Sequence, residues 1–178
     1  VTMKIKNEGS VLLMVGERKD ELGGSAYYEM FNETGAIVPK IDFVKERNMI
    51  YGVIDSINEG MVLACHDISA GGLITAVSEM ILGGDADGEI GAEIGLNFTK
   101  IRADKTLFSE SSGFVIEAET KNVGRIREIF RFYDTETFEI GKTGGKALVV
   151  SNFNEKIVDL ALGKLKDAWT RGFVEALG

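Results

Sequence analysis

The sequence predicts an α+β fold, a mixed β-sheet with helices packed on it. Short apolar or alternating runs, typical of strands, are interspersed with segments whose apolar residues recur at helical spacing. Their order lacks a regular strand–helix–strand repeat, which argues against an all-parallel sheet. Because each amphipathic helix has a sheet available to cover, its apolar stripe is expected to lie in the core.

The start of the chain is polar and shows no clear period. We expect residues 1–10 to be a frayed start or a linker remnant, and residues 11–178 to form the domain. The continuous apolar run Val11–Gly16 predicts a central strand, which a charged loop at 17–21 follows. A short helix is then expected to end at Phe31.

A longer helix is expected to begin after Asp42, whose carboxylate suits an N-cap, and to end at Gly60. It follows a stretch of turn residues that includes the only proline of the sequence, Pro39. Its predicted buried face consists of Phe43, Ile50, Val53, Ile54 and Ile57.

The centre of the domain is expected to be a buried strand over Met61–Cys65, a glycine turn and an amphipathic helix. Ser69 is a natural N-cap, and Gly71 and Gly72 lack the Cβ atoms that would keep a backbone or a ligand away. Free N–H groups at this turn would favour an anion such as phosphate. The simpler interpretation is an ordinary turn in which Asp67 and Ser69 cap the helix. The apolar face of the helix consists of Leu73, Ala76, Val77, Met80 and Ile81.

Further strands and helices are predicted beyond this helix. Residues 83–88 form an acidic, glycine-rich connection with too few ligands for an EF-hand, so a solvated turn is expected. Strands are predicted at Glu89–Leu96 and Phe114–Ala118, with a short helix at Ala103–Glu110 between them. A helix over Asn122–Tyr133 follows.

The C-terminal region predicts a hairpin and a final helix. Thr137–Ile140 and Ala147–Val150 have the pattern of strands, and Gly144 and Gly145 between them are a hairpin signal. The final helix is expected over Asn154–Thr170. Its predicted buried face consists of Ile157, Leu160, Ala161, Leu165, Ala168 and Trp169.

Composition and charge argue against several classes of function. A chain of 178 residues has the length of one domain, and a hydrophobic content of 44% is enough to build a core. A formal charge of -8 argues against nucleic acid or an anionic membrane as the main partner. No signal peptide and no apolar run of membrane-spanning length is present, so the cytoplasm is the simplest location.

Two adjacent residues of the central strand are candidates for chemistry. Cys65, the only cysteine, is expected to be a buried thiol in a reducing compartment. A nucleophilic Cys65 activated by His66 is disfavoured, because neighbours on a strand point to opposite faces. His66 titrates near neutrality and is a candidate general base. With no acid, nucleophile or second base identifiable nearby in sequence, we interpret His66 as a hydrogen-bonded structural residue.

Three segments occur in the order and spacing of one known family: Leu22–Ser25, His66–Leu73 and Leu107–Gly113. On these motifs, nearly the whole chain resembles the last domain of the large subunit of phosphoribosylformylglycinamidine synthase. The wider family of AIR synthase-related C-terminal domains includes aminoimidazole ribonucleotide synthase, selenophosphate synthetase and the hydrogenase maturation protein HypE. Two departures bear on ligand contacts, since the family often has Asp where this chain has Ala70, and Arg where it has Phe114.

The resemblance implies an AIR synthase C-terminal-domain-like fold and a role in an ATP- and Mg²⁺-dependent ligase of purine biosynthesis. In that reaction the formamide oxygen of formylglycinamide ribonucleotide is phosphorylated and then displaced by ammonia from glutamine, giving formylglycinamidine ribonucleotide. Since the principal ATP-binding and catalytic residues lie largely in other domains, the fragment itself is expected to be inactive. The alternative is a non-catalytic assembly module, or the corresponding domain of a related AIR synthase, selenophosphate synthetase or HypE protein.

The resemblance also implies partners and candidate site residues. The partners are the missing N-terminal domains of the same subunit, a glutaminase subunit and a small bridging subunit. We also expect self-association, as a dimer, through a sheet face left uncovered. No catalytic residue is assigned, and the metal ligands are left open. The candidates for binding phosphate or nucleotide are Asp67, Ser69, Gly71, Gly72, Glu110 and Ser111.

Overall fold

The computed structural model describes residues 1–84 and 88–176, so Asp85 and Asp87 of the predicted acidic turn lie outside the described residues. The elements are β1 Val11–Val15, α1 Ala26–Glu29, α2 Phe43–Asn58, β2 Val62–Asp67, α3 Gly72–Leu82, β3 Ala92–Gly95, α4 Ala103–Phe108, β4 Phe114–Ala118, α5 Val123–Phe132, β5 Thr137–Thr143, β6 Ala147–Asn152, β7 Glu155–Ala161 and α6 Leu162–Ala176. A single 3₁₀ turn, Thr120–Asn122, precedes α5.

The strands form one seven-stranded sheet in the order β2-β4-β1-β5-β3-β6-β7. Neighbouring strands are antiparallel except for β3 and β6, which run parallel. The predicted mixed sheet of an α+β fold is therefore confirmed. Within the described ranges, none of the helices combines the length and the apolar character needed to cross a membrane.

Helices lie on both faces of the sheet around the central strand β1, which is buried throughout. Leu12 and Met14 face a core formed with α3 and the start of α6, whereas Leu13 and Val15 face a second core formed with α2 and α5. This is the two-sided burial expected of the continuous apolar run in the sequence. This second core contains no residue of β3, β6 or β7, and Glu93 and Asp159 are exposed on that side of these strands. The predicted uncovered face is therefore confined to this end of the sheet, and it carries acidic side chains.

The helix α2 begins after Asp42 as predicted, and the Asp42 carboxylate accepts hydrogen bonds from the first turn. Its buried residues, however, are Met49, Gly52, Val53 and Ser56. A Cβ atom at Gly52 would lie 2.5 Å from the ring of Phe130, so the missing side chain lets α5 approach this side of the helix. Three residues of the predicted buried face are instead exposed: Phe43 (81%), Ile50 (44%) and Ile54 (45%).

The C-terminal predictions are wrong in two places. Strands β5 and β6 do not form a hairpin, because β3 lies between them and pairs with both. Gly144 donates a hydrogen bond to the carbonyl of Gly91 in this crossover. The first half of the predicted final helix is the strand β7, which pairs with β6 across a turn where Phe153 has a φ of 53°. Of the predicted buried face, Ile157, Ala161, Ala168 and Trp169 are exposed.

The start of the chain is not frayed. Ile5 is 5% exposed, and its N–H donates to the carbonyl of Met80 at 3.0 Å. The fully buried carboxylate of Glu117 accepts hydrogen bonds from the N–H groups of Lys6 and Asn7, at 2.8 and 3.0 Å. These long-range hydrogen bonds hold the polar N-terminal segment against β4. They could not be predicted from the pattern of nearby residues in the sequence.

Candidate functional site

The three motif segments meet at one carboxylate, that of Glu110. Its Oε1 atom accepts a hydrogen bond from the N–H of Gly71, at the start of α3, at 2.9 Å. The same oxygen accepts one from the N–H of Ala26, at the start of α1, at 2.9 Å. A residue of the Leu107–Gly113 segment thus contacts Gly71 within the His66–Leu73 segment and Ala26, which directly follows the Leu22–Ser25 segment.

The glycine turn has a different geometry from the one predicted. Gly71 is the N-cap of α3 in a left-handed conformation, no side chain caps the helix, and the N–H of Gly72 donates to the carbonyl of Ser69 at 3.0 Å. The prediction that Asp67 or Ser69 caps this helix is therefore wrong. Two successive left-handed glycines move the helix start beyond Ser69, and the carboxylate of Glu110 lies at the end that favours negative charge.

Gly72 also allows a close approach between two elements. A Cβ atom there would lie 2.6 Å from the carbonyl oxygen of Leu107, in the last turn of α4. Glu110 follows α4 by two residues, so this close contact lies next to the segment that carries the carboxylate. The sequence prediction that the glycines permit close approach of another backbone is confirmed for Gly72, whereas the atoms nearest to a Cβ atom at Gly71 would belong to the side chain of Thr75.

Ser111 points into the protein. It is 5% exposed, and its hydroxyl donates to the carboxylate of Glu21 at 2.9 Å. The hydroxyl groups of Ser109 and Ser111 are also hydrogen-bonded to each other, at 2.8 Å. The alternation along this segment turns Ser109 and Ser111 inward, while Ser112 is exposed and donates to Glu46.

A buried arginine lies beneath the same segment. Arg18 is 5% exposed and donates to the carbonyl of Ser112 at 2.7 Å and to that of Ser109 at 3.4 Å. Burial lowers the pKa of Arg18 to about 10, although the charges of Glu21 and Glu46 act in the opposite direction. Arg18 and Glu21 belong to the predicted charged loop at 17–21, and no period or motif in the sequence indicated that both are buried.

His66 has an acidic partner that sequence proximity did not reveal. Its Nε2 atom lies 3.0 Å from the carboxylate of Glu79, one residue before Met80 on α3. Its Nδ1 atom lies 2.8 Å from the carbonyl oxygen of Asp67. Both ring nitrogens thus have partners, and the contact with Glu79 joins the edge strand β2 to α3. This agrees with the interpretation of His66 as a hydrogen-bonded structural residue.

A small cavity of about 90 Å³ opens beside Ser112, between the end of β1 and the start of α2. Lys19, Lys40 and Lys45 line it together with acidic side chains that include Glu46 and Glu136. Because both lysine and carboxylate side chains line the cavity, its charge favours neither an anionic nor a cationic ligand. Among the described residues, no group of three or more His, Cys, Asp or Glu side chains has an arrangement suited to a metal ion.

The structure therefore brings Gly71, Gly72 and Glu110 together and separates the other candidates from them. The side chains of Asp67 and Ser69 are exposed and make no capping hydrogen bond at the turn, and Ser111 faces the interior. The N–H groups of Gly71 and Gly72 are both hydrogen-bonded within the protein, so what the cluster presents is the carboxylate of Glu110 at the positive end of α3. The cluster contains no nucleophile paired with a base, so the described geometry does not support catalysis by these residues alone.

A family model described as "AIR synthase related protein, C-terminal domain" matches residues 7–151 of the chain. The match includes all three motif segments and the strands β1 to β5.

Curated relatives are similar over nearly the full chain. One is the phosphoribosylformylglycinamidine synthase subunit PurL of Methanothrix thermoacetophila, 37% identical over 178 residues, which are 99% of this chain and 23% of that protein. Another, of the same name, is from Thermococcus sibiricus and is 34% identical over 93% of this chain and 23% of that protein. The chain thus spans about a quarter of the length of these relatives.

Solved structures share the fold at low sequence identity. PurL of Thermotoga maritima complexed with FGAR has a TM-score of 0.80 and 21% identity, covering 93% of this chain and 29% of that one. The PurLQS structure from the same organism has a TM-score of 0.72 and 20% identity, covering 93% and 27%. The hydrogenase maturation protein HypE of E. coli has a TM-score of 0.63 and 16% identity, covering 92% and 54%.

Proposed function

Because the chain belongs to the family of AIR synthase related C-terminal domains, we propose that it is the last domain of a phosphoribosylformylglycinamidine synthase. The complete enzyme would convert formylglycinamide ribonucleotide to formylglycinamidine ribonucleotide in purine biosynthesis. ATP phosphorylates the formamide oxygen, and ammonia then displaces the phosphate. The chain supplies one domain of this ligase and has no turnover on its own.

The observation that carries this proposal is the convergence of the three motif segments on Glu110. They are far apart in sequence, yet Glu110 bonds to Gly71 within one segment and to Ala26, the residue that follows Ser25 of another. A structural role at each segment separately would not require them to meet. A site that holds a ligand does require it, since groups from several elements must converge on one volume.

Within this site, the glycine turn and Glu110 would hold a phosphate or nucleotide. The N–H of Gly71 is already bonded to Glu110, so a phosphoryl oxygen would replace this contact or bind beside it at the positive end of α3. Gly72 keeps the turn close to α4, and Asp67 and Ser69 orient its exposed side. Ser111 acts from within, by supporting the segment that carries Glu110.

The remaining parts of the reaction would come from outside the chain. The preceding domains of the subunit would provide the principal ATP contacts and the ligands of Mg²⁺. A glutaminase subunit would supply ammonia, and a small bridging subunit would join it to the synthase subunit. The similarity to the PurLQS structure supports such an assembly. We place this biosynthetic complex in the cytoplasm.

A second candidate function, assembly without ligand binding, is favoured by one observation. Several large apolar side chains between residues 30 and 54 are exposed, and we call them the 30–54 surface. Its members are Met30, Phe31, Ile37, Val38, Ile41, Phe43, Val44, Ile50, Tyr51 and Ile54. Large apolar side chains exposed in this number within one stretch of the chain are typical of a contact with another domain. In the complete subunit its occupant would be a preceding domain, and in the isolated chain a second copy.

A chimeric enzyme tests the proposed function. The last quarter of the Methanothrix thermoacetophila relative is replaced by this chain, and amidine formation is measured with ATP, Mg²⁺ and ammonia. We expect the chimera to be active and the isolated chain to be inactive. A chimera that is soluble and monodisperse in sedimentation but shows no turnover would contradict the proposal, as would turnover by the isolated chain.

The same chimera separates the two candidate functions. Gly72→Val in the chimera should raise the KM for ATP or for formylglycinamide ribonucleotide if the turn holds a ligand. If the domain serves assembly alone, every folded variant of the turn should retain the parental KM values. Sedimentation of each variant provides the matched control for folding.

A further inference from the structure

Arg18 is joined to the segment that carries Glu110 at two points. One guanidinium nitrogen donates to the carbonyl of Ser109, immediately before Glu110, and the other donates to the carbonyl of Ser112, two residues after it. A planar guanidinium with two donors in fixed positions holds a short segment at a defined spacing. Glu110 lies between the two attachment points.

A buried arginine such as Arg18 costs more free energy than an apolar side chain that fills the same volume. Burying its charge carries a desolvation penalty, which the nearby charges of Glu21 and Glu46 offset only in part. Its Nε atom is buried and has no hydrogen-bond partner. An apolar side chain of similar length would fill the same volume without this penalty. The role of the guanidinium is therefore to donate hydrogen bonds to the carbonyl groups of Ser109 and Ser112.

The surroundings of Arg18 are fitted to this arrangement. A Cβ atom at Gly113 would lie 2.7 Å from the Arg18 Nη2 atom and 2.5 Å from the carbonyl oxygen of Val15, so only glycine leaves room for the guanidinium. From the other side, the carboxylate of Glu21 accepts the hydroxyl of Ser111. The segment is thus held by its carbonyl groups and by its inward hydroxyl group, and Glu110 projects toward the turn.

We infer that Arg18 is a positioning residue, which fixes the carboxylate of Glu110 against the N–H groups of Gly71 and Ala26. Arg18 acts through the main chain of residues 109–112 and contacts no ligand itself. The assignment of Glu110 to a ligand site rests on the proposed function. The mechanical link between Arg18 and Glu110 does not, and it is testable without any ligand.

Amide hydrogen exchange of the 178-residue chain, followed residue by residue by NMR, tests this inference. Arg18→Lys retains a positive charge but not the two-pronged contact. We expect exchange at Gly71 and Ala26 to accelerate by about tenfold or more, while the amides of Leu13 and Met80 keep their parental rates. Arg102→Met, which removes an exposed arginine paired with Asp104, is the control and should change none of these rates.

A second variant, Glu110→Ala, distinguishes positioning of Glu110 by Arg18 from a general loss of stability. In Glu110→Ala, the Gly71 and Ala26 amides have already lost their acceptor, so adding Arg18→Lys should not accelerate them further. Equal acceleration at all four amides, or the same effect of Arg18→Lys with and without Glu110, would overturn the inference. Unchanged rates at Gly71 and Ala26 in Arg18→Lys would overturn it as well. Because no substrate is used, failure of the proposed enzyme activity would leave this result unaffected.

Discussion

The carboxylate of Glu110 accepts a hydrogen bond from the N–H of Gly71 at 2.9 Å, so an acidic side chain of the protein occupies the start of α3. The sequence predicts an anion at this position, because helix N-termini present free N–H groups to negative charge. In the structure, the negatively charged group at this helix start is the side chain of Glu110, which belongs to the protein itself. Any phosphate that binds here must accommodate Glu110, which makes the carboxylate part of the site.

Removing this carboxylate should destabilise the domain. We expect Glu110→Ala to lower the free energy of unfolding by about 1–3 kcal/mol, because two main-chain N–H groups lose a charged acceptor. Glu33→Ala is the control, since its side chain is exposed in a loop. Urea unfolding of both variants measures the difference. Equal stability of the two would show that the Glu110 contacts contribute nothing.

Adding a single methyl group at Gly72 should be more damaging than its size suggests. Gly72 has a φ of 72°, and a Cβ atom there would lie 2.6 Å from the carbonyl oxygen of Leu107. We expect Gly72→Ala to cost about 2–4 kcal/mol, from backbone strain together with the displacement of α4. The control is Gly124→Ala in α5, where a Cβ atom meets nothing within 4 Å, and which should be neutral or stabilising. Thermal unfolding that ranks the two variants the other way round would refute this prediction.

The pair formed by His66 and Glu79 should behave as a structural contact. A double-mutant cycle with His66→Asn and Glu79→Gln is expected to give a coupling of about 0.5–1.5 kcal/mol in urea unfolding. In the active chimera, His66→Asn should leave kcat within a few-fold of the parent, as expected when no general base is lost. A stable His66→Asn chimera whose kcat falls by roughly 10²- to 10⁴-fold would instead identify His66 as a general base.

The thiol of Cys65 should be unreactive in the folded protein. Burial, with a smaller contribution from the charge of Asp67, raises the pKa of Cys65 to about 12. Because the folded state disfavours the thiolate, this group favours folding while the thiol is protonated, and that contribution is lost as pH rises from about 9 toward 12. At pH 9, iodoacetamide should therefore label Cys65 much more slowly in buffer than in urea. Equal labelling rates would contradict the raised pKa.

The 30–54 surface should make the isolated chain self-associate. We expect sedimentation to show a dimer that the double variant Ile50→Glu and Ile54→Glu converts to monomer, because two charges would be buried without partners. Phe153→Glu is the control, since this exposed residue lies in the turn between β6 and β7. A parent chain that stays monomeric at the highest attainable concentration would exclude this contact between copies.

Local sequence patterns determined most of the elements and the family. The strand β1, the helix α5 and the cap at Asp42 follow from apolar runs, helical spacing and cap chemistry, which act between residues close in sequence. The same local information failed for β7, where a period-two run was interpreted as the start of a helix. The three motif segments could be recognised from the sequence because a family resemblance depends on the identity, order and spacing of residues.

The tertiary structure alone decided which surfaces are covered and which groups meet. Helix α2 carries apolar residues on two sides, and only packing against Phe130 at Gly52 selects the side that is buried. The insertion of β3 between β5 and β6 depends on pairing between distant strands, which a glycine turn does not specify. Glu110 finds its partners 39 and 84 residues away in the chain, at Gly71 and Ala26. Periodicity records the local environment of each segment, whereas contacts at such separations exist only once the chain has folded.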